Sequence, residues 1–160
     1  MFWEPHEYQK EAVKFLVERG SASLWLDPGL GKTAIVLSAF TVLRRKALVK
    51  KMLVLAPLRP VHGVWPLEVK KWEQFSNYSV GVLHGGNKEK ALKQNHDIYV
   101  INFEGLQWLS AKLNGKPWPF DVLTVDEISY LKNTQTQRFK CLKPLLNKFD
   151  RRWEIGRAHV

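Results

Sequence analysis

Three short runs, "MLVLA" (Met52–Ala56), "IYVI" (Ile98–Ile101) and "VLTV" (Val122–Val125), are apolar at nearly every position. A strand with one wet face alternates apolar and polar side chains. A run without that alternation belongs in a sheet covered on both faces, the usual condition of parallel strands. Two more strand candidates are Ala22–Leu26 and Ser79–Leu83. Between the candidates lie segments with helical spacing: Thr33–Arg45, Val61–Phe75, Lys88–Gln94, Phe103–Leu113 and Thr136–Asn147. A helix over Tyr8–Arg19 precedes the first strand, with Ala12, Phe15 and Leu16 on one face and Gly20 at its end. Strand–helix alternation of this kind predicts a three-layer α/β domain with a mainly parallel sheet. Ligands of such sheets lie beyond the carboxyl ends of the strands.

With 160 residues the chain is long enough for one domain with a real core. No apolar run reaches the roughly 18–20 residues that span a membrane, and the start, "MFWEPHEYQK", lacks the charge-then-apolar order of a secretion signal. Cys141 is the single cysteine, so neither an internal disulfide nor a cysteine zinc site is expected. His6, His62, His84, His96 and His159 show no metal-ligand spacing. A reducing, cytoplasmic setting is the expectation. Lys and Arg exceed Asp and Glu by 25 to 15, a net charge of +10, which suits a protein that meets phosphate backbones.

The stretch "LDPGLGKT", residues 26–33, follows one strand candidate and opens a helix. Gly29 and Gly31 let the backbone turn its N–H groups around an anion, within a loop that also holds Pro28 and Leu30, and the helix start adds its positive dipole end. Lys32 is placed to reach the β- and γ-phosphates of ATP, and the Thr33 hydroxyl to bind Mg²⁺. Leu26 stands where many phosphate loops carry a glycine. A partner motif supports the nucleotide reading: Asp126 and Glu127 end the apolar run in "FDVLTVDEIS". Asp126 is the expected Mg²⁺ carboxylate, acting through water, and Glu127 the group that orients and deprotonates an attacking water.

With these motifs in order, the chain resembles the superfamily 2 helicases and translocases, and within them the Swi/Snf-like branch that includes compact helicase-like proteins of phages and bacteria. The Gly-Leu-Gly-Lys-Thr core of the loop fits that branch, and superfamily 2 loops do not require the glycine replaced by Leu26. "PHEYQKEAV" resembles the glutamine motif, which implies that Gln9 reads the adenine edge, with Tyr8 or His6 packed near the base. "LAPLRPVHGVWPLEVKKW" resembles motif Ia and "VINFEGL" motif Ib, both on the nucleic-acid path, and "VDEISYLKN" resembles motif II. The resemblance implies a RecA-like first lobe of a DNA-dependent ATPase, with ATP and Mg²⁺ as cofactors and nucleic acid, DNA rather than RNA, as partner. It also implies a second lobe supplying arginine fingers, without which this lobe hydrolyses ATP very slowly.

Arg59 is a candidate phosphate contact, against the alternative of a solvated loop arginine. Asn102 either meets the nucleic-acid backbone, as motif Ib implies, or caps the next helix. Trp65 and Trp72, seven apart on one expected helix, share a face and point to core packing more than to base stacking. The basic runs 44–46 and 50–51 suit a helix end and a loop, and "HGG" at 84–86 a turn. The last seven residues, "EIGRAHV", match a translated sequencing adapter, GAG ATC GGA AGA GCA CAC GTC. The expectation is therefore a lobe over 1–153 and a non-native tail over 154–160. Two other readings compete: a phosphate-loop kinase, which would need an acceptor site and an arginine-rich lid, and a nucleic-acid-binding module with a vestigial nucleotide site.

Overall fold

The computed structural model describes residues 1–26, 31–127 and 137–157. Among them, six strands form one sheet: β1 (Ser21–Leu26), β2 (Met52–Ala56), β3 (Val80–Val82), β4 (Ile98–Asn102), β5 (Val122–Asp126) and β6 (Arg151–Arg157). Their order across the sheet is β1-β6-β5-β2-β4-β3, and every pairing is parallel. The helices are α1 (Glu7–Glu18), α2 (Lys32–Arg45), α3 (Leu58–Gly63), α4 (Trp65–Lys71), α5 (Lys88–Lys93), α6 (Leu106–Leu113) and α7 (Gln137–Leu142), with 3₁₀ turns at Phe103–Gly105 and Lys143–Lys148.

The apolar runs are apolar throughout because each strand feeds two cores. Met52, Val54 and Ala56 of β2 join Ile98 and Val100 of β4 in a core shared with α1, α2 and α4, where Leu16, Phe40 and Trp65 are buried. The intervening Leu53, Leu55, Tyr99 and Ile101 face the other way, against Leu106 and Leu109 of α6 and Leu142 of α7. Successive side chains on a strand point to opposite faces, so neither set can be polar without opening one core.

Three helices differ from the spacing-based expectation, and two of the differences have a proline as their cause. The expected helix Val61–Phe75 is two short ones, α3 and α4, that meet at Val64. Pro66 has no N–H to donate back along the chain, so the first helix cannot continue through it. Pro144 likewise lies where α7 gives way to a 3₁₀ turn. The stretch expected as Phe103–Leu113 starts with a 3₁₀ turn before α6.

The lobe edge expected at Trp153 lies inside β6, which runs on through Glu154–Arg157. Trp153 and Ile155 are both fully buried in the same core as α1 and α2, and the strand pairs with β1 on one side and β5 on the other. Alternation of buried Trp153 and Ile155 with Arg152 and Glu154 is the pattern of a strand with one covered face.

Candidate functional site

β1 and β5 are separated only by β6, so the residues just beyond their carboxyl ends converge. Lys32 opens α2, past the end of β1. Its Nζ lies 2.8 Å from Glu127 Oε1 and 3.3 Å from Asp126 Oδ1. Asp126 ends β5 and is almost wholly buried, while Lys32 and Glu127 keep partial access to solvent. One ammonium thus serves two carboxylates. Glu127 holds a left-handed backbone, φ 64°, which a non-glycine residue adopts at a cost of about 1–3 kcal/mol.

Asp126 divides its two oxygens. Oδ2 accepts the indole N–H of buried Trp65 at 3.0 Å. Oδ1 is buried and, among the described residues, makes an ion pair with Lys32 but no hydrogen bond. The Lys32 ammonium is the cation that offsets its burial, and the buried Thr33 stands on the same helix start as Lys32. Thr33 and Asp126 carry the kind of oxygen donors that a hard divalent cation such as Mg²⁺ takes.

Gly31 caps α2 with φ 73°, and a Cβ there would lie 2.8 Å from Gln9 Nε2. The left-handed backbone demands glycine, and a side chain there would push the Gln9 amide aside. Gln9 is buried in the first turn of α1 and accepts the His6 backbone N–H on Oε1 at 2.8 Å. Its amide is therefore clamped between the start of α1 and the start of α2. Pro28, Gly29 and Leu30 lie outside the described residues.

Beside Lys32 and Thr33 opens a cavity of about 560 Å³ whose walls include Trp3, His6, Gln9, Gly31 and Trp72. Its near side is the amino-terminal segment, held down where Trp3 N–H donates to Gln74 Oε1 and Gln74 Nε2 donates to the Trp3 carbonyl, at 3.0 and 2.7 Å. Of the two ring candidates, His6 lines the cavity, and Tyr8 stacks on the His6 ring with centroids 6.0 Å apart. Helical spacing gave no sign of Trp72 as a site residue. It sits one residue past α4, its indole N–H donating to Glu68 Oε2 at 2.7 Å and Lys71 Nζ 4.5 Å from its ring centroid. Trp65, its expected companion on one face, is in the core.

The nucleic-acid candidates are set apart from this cluster, along the same rim. Arg59 belongs to the short helix α3, not to a loop, and is exposed beyond the end of β2. Asn102 ends β4 but points inward, 8% exposed, with Nδ2 3.3 Å from Glu104 Oε2, and its side chain does not cap the following turn. On the same rim His62 of α3 and His84 after β3 bring ring nitrogens within 2.8 Å. Arg44, from the first basic run, is a structural residue: it pairs with Asp97 at 2.8 Å.

A model of the SNF2-related domain matches residues 8–155. The chain belongs to the SNF2-related domain family. Its fold agrees: the Sulfolobus solfataricus SWI2/SNF2 ATPase core, solved in complex with dsDNA, superposes with a TM-score of 0.80 at 23% identity, over 99% of this chain and 34% of that one. This SNF2-related lobe is also similar to the putative protein p41 of Acyrthosiphon pisum secondary endosymbiont phage 1, 32% identical over 157 residues, 93% of this chain and 34% of the relative. The DNA excision repair protein ERCC-6-like of Bos taurus is 26% identical over 155 residues, 88% of this chain and 12% of that protein. The chain thus spans about a third of the phage relative and about an eighth of the bovine one. The Swi/Snf-like resemblance and the RecA-like three-layer fold read from the motifs both hold.

Proposed function

We propose that this SNF2-related lobe binds Mg²⁺–ATP at the carboxyl ends of β1 and β5 and serves a DNA-dependent ATPase that moves on duplex DNA. The observation that carries the reading is the convergence of Lys32 Nζ on Asp126 and Glu127 beside the cavity walled by Gln9 and Trp72. The β- and γ-phosphates of the incoming nucleotide compete for the Lys32 ammonium, which frees the two carboxylates for their own work. Thr33 and Asp126 would hold Mg²⁺, which supplies charge neutralisation at the phosphates. Glu127 accepts a proton from water as its oxygen bonds to the γ-phosphorus and the β–γ bridging P–O bond breaks. The base fits the cavity, with Trp72 and His6 as stacking surfaces and the Gln9 amide at its wall.

Nucleic acid is the partner favoured by the net charge of +10 and by the rim that carries Arg59. The dsDNA held by the Sulfolobus core supports DNA over RNA. Backbone phosphates, which carry no sequence information, suit an exposed arginine. In this reading a second lobe, outside this chain, completes the charge stabilisation around the γ-phosphate, so the lobe alone turns over slowly.

The test is fluorescent ATP-analogue binding by the chain with and without Mg²⁺, paired with ATPase assays, with and without duplex DNA, on a protein carrying both lobes. Binding that needs Lys32, and hydrolysis that rises with duplex DNA, are the expected results. Analogue binding unaffected by Lys32→Ala would overturn the site. Turnover that needs a small phosphate acceptor instead of DNA would overturn the motor.

A further inference from the structure

Trp65 and Trp153 are the two largest fully buried side chains. The Trp153 indole nitrogen has no partner among the described residues. The Trp65 indole nitrogen donates to Asp126 Oδ2 at 3.0 Å, across 61 residues of sequence. An apolar pocket alone would be served by phenylalanine or leucine. A buried indole adds one directional donor, and here that donor meets the carboxylate that ends β5.

The local chain explains the aim. α3 follows β2, the neighbour of β5 in the sheet. Pro66 stops α3 and starts α4, so Trp65 stands at the first position of the new helix, where Val64 is the boundary residue of both. The break turns the indole under the end of β5. Were Val61–Phe75 one continuous helix, residues 65 and 72 would share a face.

We propose that Trp65 is the positioning residue for the cation-binding carboxylate: its N–H fixes Asp126 Oδ2, so that Oδ1 is the single oxygen turned toward Lys32 and the cation. The inference rests on the ATP-site reading above and deepens it. A carboxylate free to rotate would accept from Lys32 with either oxygen and would lose rotational entropy on binding a metal. With Oδ2 pinned by a neutral donor, the charge stays on the group and only Oδ1 is available. Outer groups that orient a metal ligand are typically worth about 10–100-fold in metal affinity.

Trp65→Phe keeps most of the packing and removes the donor. Binding of a fluorescent ATP analogue in EDTA is expected to match the parent, while the gain in affinity on adding Mg²⁺ falls by about 10–100-fold. A folded Trp65→Phe chain, judged by a cooperative melt, that keeps the full Mg²⁺ gain overturns the proposal. Should Trp65→Phe not fold, indole ¹H–¹⁵N spectra of the unsubstituted chain and of Asp126→Asn decide. One indole resonance is expected to move upfield when the carboxylate becomes an amide. An unchanged set of indole resonances overturns the proposal. If the unsubstituted chain shows no analogue binding or no Mg²⁺ dependence, the ATP-site reading fails by itself, and the indole response to Asp126→Asn still decides whether Trp65 holds this carboxylate.

Discussion

Asp97, just before β4, and Asp126, at the end of β5, occupy opposite ends of the same sheet, and the fold treats them in opposite ways. Asp97 is completed. Oδ1 accepts from Arg44 at 2.8 Å, Oδ2 accepts the Ser79 backbone N–H at 2.8 Å, and its own N–H reaches the Ser79 hydroxyl at 3.2 Å. Nearby Asp121 likewise accepts the N–H groups of Lys50 and Lys51, at 2.7 and 3.0 Å, tying the start of β2 to that of β5. At the other end two carboxylates share one ammonium, Asp126 Oδ1 has no hydrogen bond among the described residues, and Glu127 holds a strained backbone. Groups whose bonding is complete contribute stability. Asp126 Oδ1, without a hydrogen bond among the described residues, is the oxygen with capacity left for a ligand.

That contrast can be broken most directly at Lys32. Lys32→Ala should lower ATP-analogue affinity by about 10–100-fold, the worth of a lost charged hydrogen bond; near-parental affinity in a fluorescence titration would mean the carboxyl end is not the site. At the amino end the effect should move to stability. Asp97→Ala strands the Ser79 N–H and the Arg44 guanidinium and should cost about 2–3 kcal/mol in urea unfolding, with analogue affinity unchanged. Glu127→Gly relieves the positive φ and should stabilise the chain by about 1 kcal/mol, while abolishing hydrolysis in a protein with both lobes. A drop in stability would show that the Lys32–Glu127 pair outweighs the strain.

The smallest effect is a pH dependence at the closed end. His96 is held below its usual pKa by burial and then by the Lys51 charge, against a smaller opposing effect of Asp97. Its neutral form is therefore favoured by folding, and the unfolded chain binds the proton more readily. This contribution is fully present above the unfolded value of about 6.5 and is lost as pH falls from there through the folded value. Urea midpoints measured across that window should decline toward acid, and His96→Gln should flatten the decline without touching nucleotide binding.

The residues that meet at the carboxyl ends of β1 and β5 are legible in the sequence because each set is local. Lys32 and Thr33 directly follow a glycine turn at a strand–helix junction, and Asp126 and Glu127 directly end an apolar run. Strands β2 and β4 are legible because two covered faces keep Met52–Ala56 and Ile98–Ile101 apolar. Helical spacing overstates continuity at 61–75, where Pro66 breaks the run, and a single helix there would hide the separate roles of Trp65 and Trp72. β6 is hidden for a different reason: "RRWEIGR" has only two strongly apolar side chains, and only its place between β1 and β5 shows that Trp153 and Ile155 complete a core.

By itself the sequence determined the parallel two-faced sheet and the places of Lys32 and of the acidic pair at strand ends, since each depends on neighbours a few residues apart. Tertiary structure alone decided that the Trp65 indole meets Asp126, that Trp72 walls the cavity with Gln9, and that Glu127, with a left-handed backbone, meets Lys32. Those facts depend on crossovers between strands far apart in the chain, where a helix break of one residue redirects a side chain, and no local pattern encodes such a direction.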